Sequence, residues 1–302
     1  MVHWRTLGIA GASATLSCTL LAPAGAQNPD SVQIRAEKLT EGTYVLFGRG
    51  GNIGLSVGAE AVFVVDDQFA PLTPKVLAAI ASITDRPVRF VLNTHWHFDH
   101  TGGNENMGKA GALIVAHDNV RRRMSTKQFI EFIKREEPAA APGALPVVTF
   151  NDAVTFHING DEVAVFHLPR AHTDGDAVVH FRRTNIVHMG DVYVTGSFPF
   201  VDLSSGGSVS GIIGGVERVL ALINDDTKVI PGHGPMSNKA ALGAYHAMMV
   251  TVRDRVRVEA AKGRTLEQIL ASKPAAEFEQ FGRGFIKADD FVRFAHAETS
   301  RR

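Results

Sequence analysis

Within the run His95-Trp96-His97-Phe98-Asp99-His100, six consecutive positions carry three imidazoles and one carboxylate. Imidazole nitrogen and carboxylate oxygen suit zinc, and donors packed this densely are rare in an ordinary surface loop. On an extended strand end, residues two apart share a face, which directs His95 and His97 to one ion. A turn of the backbone just after them brings Asp99 and His100 to a second ion nearby, a common hydrolytic arrangement. Gly102 and Gly103 follow, and the expectation is that they let the chain bend sharply beneath the ions.

Three further donors stand apart. His172 lies between two strand-like runs, Asp191 follows His188-Met189-Gly190, and His233 sits in Pro231-Gly232-His233-Gly234. A lone strand-end histidine is more often structural than a ligand. Together with the first cluster, however, His172 can complete the first ion, His233 the second, and Asp191 can bridge the two. With Cys18 the only cysteine, a mature chain lacking it holds any metal through nitrogen and oxygen alone.

Elements that position these donors can be read from patterning. Strand-like runs end or surround each one: 42–47, 61–66, 88–93, 112–116, 153–158, 162–168, 177–182, 185–189 and 228–230. Residues 48–52 read as a flexible hairpin tip, and 136–146 as a Pro- and Ala-rich loop bordering a cleft. Helices are expected over 71–83, 118–134, 238–262, 265–271 and 287–296, with Ser204 to Ser208 as the N-terminal turn of one through 222. Strand-then-helix occurs twice, so two packed sheets with helices outside is the natural burial solution, an α+β fold. The Arg121-Arg122-Arg123 run reads as a solvated helix face. His117, His157, His167, His180 and His188 lack ligand spacing. Phe198, Pro199 and Phe200 either wall a pocket or pack on the core, and Tyr193 is open between oxyanion donor and core residue.

Residues 1–26 have a basic start, a short apolar stretch and Ala24-Gly25-Ala26, the pattern of a secretory signal peptide cleaved after Ala26. This predicts a periplasmic or secreted protein without membrane insertion after signal removal. Residues 27–264 then form the catalytic domain, and 265–302 a helical tail packed on it. With 31 basic and 31 acidic residues, the chain lacks the basic field that a nucleic-acid binder needs. A small-molecule substrate is expected, and nothing sets an oligomeric state.

The motif H-x-H-x-D-H followed by separate His, Asp and His resembles the metallo-β-lactamase-fold superfamily. That resemblance implies an αββα sandwich of two mixed β-sheets flanked by helices, with the site along one sheet edge. It implies two zinc ions per chain: His95, His97 and His172 on the first, Asp99, His100 and His233 on the second, and Asp191 between. Asp66 matches a family carboxylate that orients a ligand imidazole; as read from the residues alone it is equally a turn cap. The implied chemistry is hydrolysis by a metal-bridging hydroxide, with Asp99 as the catalytic carboxylate, on a β-lactam or on a lactone or ester ring. The complete donor set is more like glyoxalase-II-type thioesterases and lactonases, while the surrounding residues resemble periplasmic lactamase-like proteins. The alternatives are a mononuclear iron sulfur-dioxygenase-like oxidoreductase and a non-catalytic periplasmic relay protein.

Overall fold

The structure is a computed structural model that describes Met1 and residues 28–299. The expected signal peptide, with Cys18, lies outside the described residues. Along the first half run β1 (Arg35–Thr40), β2 (Thr43–Phe47), β3 (Ile53–Val57) and β4 (Val62–Val65), then α1 (Thr73–Ala81) and β5 (Val88–Leu92). Two short helices, α2 (Phe98–Thr101) and α3 (Asn104–Lys109), lead to β6 (Leu113–His117) and α4 (Asp118–Met124). A hairpin of β7 (Gln128–Ile130) and β8 (Arg135–Glu137) precedes β9 (Val148–Phe150). The second half holds β10 (Ala153–Ile158), β11 (Asp161–Leu168), β12 (Asp176–Phe181), β13 (Ile186–His188), α5 (Val209–Leu222), β14 (Lys228–Ile230) and β15 (Ser237–Asn238). Helices α6 (Lys239–Ala261), α7 (Leu266–Ala271) and α8 (Ala288–Thr299) follow.

One sheet has the order β1-β2-β3-β4-β5-β6-β9 and the other β10-β11-β12-β13-β14-β15. Both are mixed: β4, β5, β6 and β9 run parallel beside an antiparallel β1–β4, and β13 and β14 are parallel inside an otherwise antiparallel sheet. Strand β4 shows why two layers form. Val62 and Val64 face α1 among Val76 and Ile80, while Phe63 and Val65 face the second sheet among Val163, Val179 and Phe181. All four β4 side chains are inaccessible, as a period of two buried on both faces demands. Each such burial is worth roughly 1.5–3 kcal/mol. The outer face of the second sheet, through Val178, Val187 and Val229, is covered by α5, α6 and α8. The architecture is therefore the expected αββα sandwich. Ile269 of α7 and Phe291 and Phe294 of α8 belong to that same outer core. No helix among the described residues is long and apolar enough to cross a membrane.

The helix expected over 118–134 stops at Met124. Ser125 and Thr126 turn the chain, and residues 128–130 pair with 135–137 instead. The reason is burial at period two: Ile130 is buried against Trp96 while Phe129 is 48% exposed, and Lys127 pairs with Glu136 across the hairpin. Arg123 is also not a free surface cation. Its guanidinium grips both oxygens of Asp174, at 2.7 and 2.8 Å.

Candidate metal centre

All four donor-bearing segments follow the ends of strands: β5, β11, β13 and β14. His95, Trp96 and His97 lie in a bend after β5, so the strand pleat is not what aligns the two histidines. The bend is closed by α2, in which the amides of His100 and Thr101 donate to His97 O at 3.0 and 3.1 Å. Trp96 packs on Val120, Met124 and Ile130, its ring 4.8 Å from that of His97, and donates to Ser205 Oγ at 3.2 Å. His95 and His97 are left facing one point, their rings 4.9 Å apart and nearly perpendicular.

The seven donors foreseen in the sequence converge. Among the described residues, three donor groups could each hold an ion, with ligand atoms all within 4.8 Å of one another: His95, His97 and His172; His95, His100 and Asp191; and Asp99, His100 and His233. Nδ1 of His97 is 2.9 Å from Nε2 of His172, and Nε2 of His100 is 3.1 Å from Nε2 of His233. Asp191 stands between the triads, Oδ1 at 3.2 Å from His100 and 3.3 Å from His233, Oδ2 at 3.8 Å from His172. Asp99 reaches His233 at 3.3 Å. Among the described residues, neither the buried Nε2 of His95 nor Oδ1 of Asp191 has an aligned hydrogen-bond partner, although two imidazole nitrogens lie beside that oxygen. Buried donors facing one another without aligned protein partners fit a divalent cation between them.

Electrostatics divide the imidazoles into two kinds. Burial drives His95 well below its ordinary range, helped by His100 and His172, and burial with His97 lowers His172 to about 4. Both are neutral at pH 7, as ligation requires. At His100, burial pulls down but Asp191, Asp66 and Asp99 prevail and hold it well above its ordinary value. His233 rises to about 10 against its burial, through Asp191 and Asp99. Asp99 falls to about 2, and Asp191 falls well below the carboxylate range, because the imidazolium charges outweigh burial. The carboxylates need cations here, and a metal ion can replace those protons.

Second contacts fix the rings. Asp66 accepts from His100 Nδ1 at 2.7 Å, so the orienting reading of that residue prevails over the turn cap. Asp202, not foreseen from the sequence, faces His97 Nε2 at 3.0 Å and accepts from Ser205 Oγ and both Ser204 and Ser205 amides. The supposedly flexible tip at 48–52 is instead a brace. Gly51 N donates to Asp99 O, Asn52 N to Gly232 O, and Asn52 Nδ2 to Pro231 O and Gly234 O. A Cβ on Gly51 would come 2.2 Å from the His100 ring. Gly102 and Gly103 do not make a sharp bend: both have negative, helical φ. They are needed for space, since a Cβ on either would lie 2.8 Å or less from a carbonyl oxygen. His188 is buried and bonded to Asn52 O and Gly190 N, a structural role. The Tyr193 hydroxyl pairs with Ser237 at 2.7 Å and its ring packs on Tyr245.

A chamber of about 390 Å³ opens beside Asp99, Asp191 and His233. Its walls are Phe98, Ile130, Ile133, Phe198 and Phe200, with Phe285 and Ile286 from the tail. Phe198 and Phe200 thus both wall a pocket and pack on the core.

The model of the metallo-beta-lactamase superfamily matches residues 47–234, which include every one of the seven donors. The chain belongs to the metallo-beta-lactamase superfamily. It is a superfamily hydrolase with histidine and aspartate metal-binding groups. Among curated relatives, the bovine acyl-coenzyme A thioesterase MBLAC2 is 25% identical over 209 residues, covering 62% of this chain and 74% of that protein. Hydroxyacylglutathione hydrolase GloC of Haemophilus influenzae is 24% identical over 151 residues, covering 50% of this chain and 70% of GloC. Among solved structures, a metallo-beta-lactamase from Pontibacter korlensis matches at TM-score 0.60 and 19% identity, over 72% of this chain and 99% of that one. The sec-alkylsulfatase Pisa1 from Pseudomonas sp. matches at TM-score 0.67 and 15% identity, over 88% of this chain but 50% of its own. These structural likenesses carry the superfamily fold.

Proposed function

We propose that the chain is an exported dinuclear zinc hydrolase acting on a small carbonyl substrate. His95, His97 and His172 would hold one ion and Asp99, His100 and His233 the other, with Asp191 shared. The observation that carries this reading is the position of Asp191, within 3.2–3.8 Å of imidazoles from both triads. Two divalent cations at such a centre supply Lewis acidity and a water acidic enough to be a nucleophile near neutral pH. The chain's own part is orientation. Asp66 and Asp202 hold His100 and His97 by the nitrogens turned away from the neighbouring imidazoles, fixing ring and tautomer. Asp99, ionised and facing the chamber, orients the attacking water, and the apolar walls keep bulk water from the reacting carbonyl.

The relatives named for thioester or acylglutathione hydrolysis favour an ester, thioester or lactone over a lactam. Export rests on the composition of residues 1–26. The test is metal analysis of the purified protein together with a panel of chromogenic esters, thioesters, lactones and lactams. Two zinc ions per chain with turnover of one acyl class is the expected result. Fewer than about one zinc with no turnover overturns the reading. One iron per chain with oxygen uptake on a persulfide replaces it by an oxidoreductase.

A further inference from the structure

We infer that the chamber beside the metal centre is an acyl pocket for an uncharged hydrocarbon chain, and that Phe285 and Ile286 of the tail limit the chain's length. The inference rests on the hydrolase reading above and deepens it to a substrate class. Three observations carry it.

The first is continuity. The same chamber is lined at one end by Asp99, Asp191 and His233 and elsewhere by Ile133, Phe200 and Phe285, so a substrate reacting at the centre must lay one side along the apolar walls. Its volume of about 390 Å³ falls in the range of small-molecule sites.

The second is charge. Among the described residues, no Lys or Arg lines the chamber. Arg135 lies 3.6 Å from the centroid of the Phe98 ring, but it is already engaged by Glu137. An acyl group ending in a carboxylate would carry that charge away from the centre and lose its hydration among aromatic walls with no Lys or Arg beside it. Burying an unpaired charge in this way is strongly unfavourable.

The third is that the wall hydroxyls are already used. Ser197 Oγ accepts from Ile286 N at 3.2 Å, and Thr195 Oγ1 donates to His233 O at 3.2 Å. Gly284 N also donates to Gly196 O at 3.0 Å, so the segment carrying Phe285 and Ile286 is tied to the wall formed by residues 195–197. Ile286 is buried, whereas Phe285 is 63% exposed. Phe285 therefore stands at the rim, its ring edge-on to Phe132 and Phe200, where truncation opens the chamber without removing a fully buried side chain.

The experiment uses the metal-loaded protein and p-nitrophenyl esters of straight-chain acids from acetate to dodecanoate, beside matched esters whose chains end in a carboxylate. We expect kcat/KM to rise about fourfold per methylene until the chamber fills, then to level or fall. The carboxylate-ended partners should be at least tenfold poorer. Phe285→Ala should move the break to longer chains, and Ile133→Ala should lower the gain per methylene. In parallel, calorimetry follows the binding of 2-alkanones, which are not hydrolysed, and affinity should grow with chain length. Ester turnover independent of length, with ketone binding equally independent, overturns the pocket and leaves the hydrolase standing. Length-dependent ketone binding in a protein that turns over no ester, thioester, lactone or lactam upholds the apolar-chain site and sinks the hydrolase reading.

Discussion

Oδ2 of Asp66 lies 2.7 Å from Nδ1 of His100, and both side chains are wholly buried. The same carboxylate takes Thr94 N at 2.7 Å and Thr94 Oγ1 at 2.8 Å, so one group at the end of β4 holds both the loop after β5 and a ring of the centre. Asp66 adopts a left-handed φ of 62°, which is unfavourable for a residue with a Cβ. The three hydrogen bonds offset that strain.

Replacing this anchor tests the orienting role. Asp66→Ala should weaken metal affinity or activity about 10–100-fold, the usual cost of losing the group behind a ligand imidazole. Asp66→Asn retains the shape and should lose less. Titration of the metal against a chromophoric chelator, with thermal unfolding to confirm folding, measures the effect. Wild-type affinity in Asp66→Ala would return this residue to a turn cap.

Gly232 makes a second and sharper test. A Cβ there would sit 2.0 Å from Oδ1 of Asp191 and 2.6 Å from the Gly190 carbonyl. Gly232→Ala must push Asp191 out from between the triads, so bound metal should fall below two per chain and turnover should drop by about two orders of magnitude. Overpacking adds roughly 1–3 kcal/mol of destabilisation. Gly243 in α6 has nothing within 4 Å of its Cβ position, so Gly243→Ala should raise stability by about 0.5–1 kcal/mol. Elemental analysis and denaturant unfolding of both variants separate a site effect from a general intolerance of alanine.

Much of this centre was legible because ligand chemistry is local. His95, His97, Asp99 and His100 announce themselves by density, and each of the other donors follows a readable strand. Asp202 was not legible: it meets His97 across 105 positions, and a single aspartate before Leu203 carries no periodic signal. The brace at Gly51 and Asn52 is hidden in the sequence for a related reason. Glycine-rich composition predicts freedom, but a glycine pressed against an imidazole is there for space. The hairpin at 128–137 failed because Asp118 to Met124 starts a genuine helix, and nothing local says that Ile130 will be claimed by Trp96.

The Arg123–Asp174 pair ties α4 to the loop carrying His172, and its side chains are 18% and 28% exposed. Asn119 Nδ2 adds a bond to Asp174 O at 2.7 Å, and Asp174 N donates to Ser205 O. A two-pronged, partly shielded pair of this kind is worth more than a surface bridge, so Arg123→Ala should cost about 1–3 kcal/mol. Arg123→Lys keeps the charge but not the fork and should recover less than half of the loss. Urea unfolding of the single variants and of their combination with Asp174→Ala gives the coupling. Additive losses would mean that the pair contributes no interaction of its own.

The stacked rings of His117 and His167, 3.8 Å apart and 13° from parallel, give a prediction in pH. His117 Nε2 donates to Asn151 O, while its Nδ1 accepts from Asn119 N and so caps α4. His167 Nδ1 donates to Asp176 O at 2.9 Å. Burial lowers both below the ordinary imidazole range. A histidine with a folded pKa below its unfolded value of about 6.5 binds more protons when unfolded, so stability rises with pH through that interval. The contribution is complete above about pH 6.5 and is lost as the pH falls through the lowered folded values. Protonating His117 also removes the acceptor that caps α4, and protonating both rings sets like charges face to face. Other histidines contribute their own slopes, His95, His172 and His188 with the same sign and His100 and His233 with the opposite one, so the measurement is a difference: unfolding free energy of the wild type minus that of His167→Gln, from pH 7.5 down to about 5. The difference should shrink on acidification. A difference constant with pH would show that the stacked pair does not titrate with unfolding.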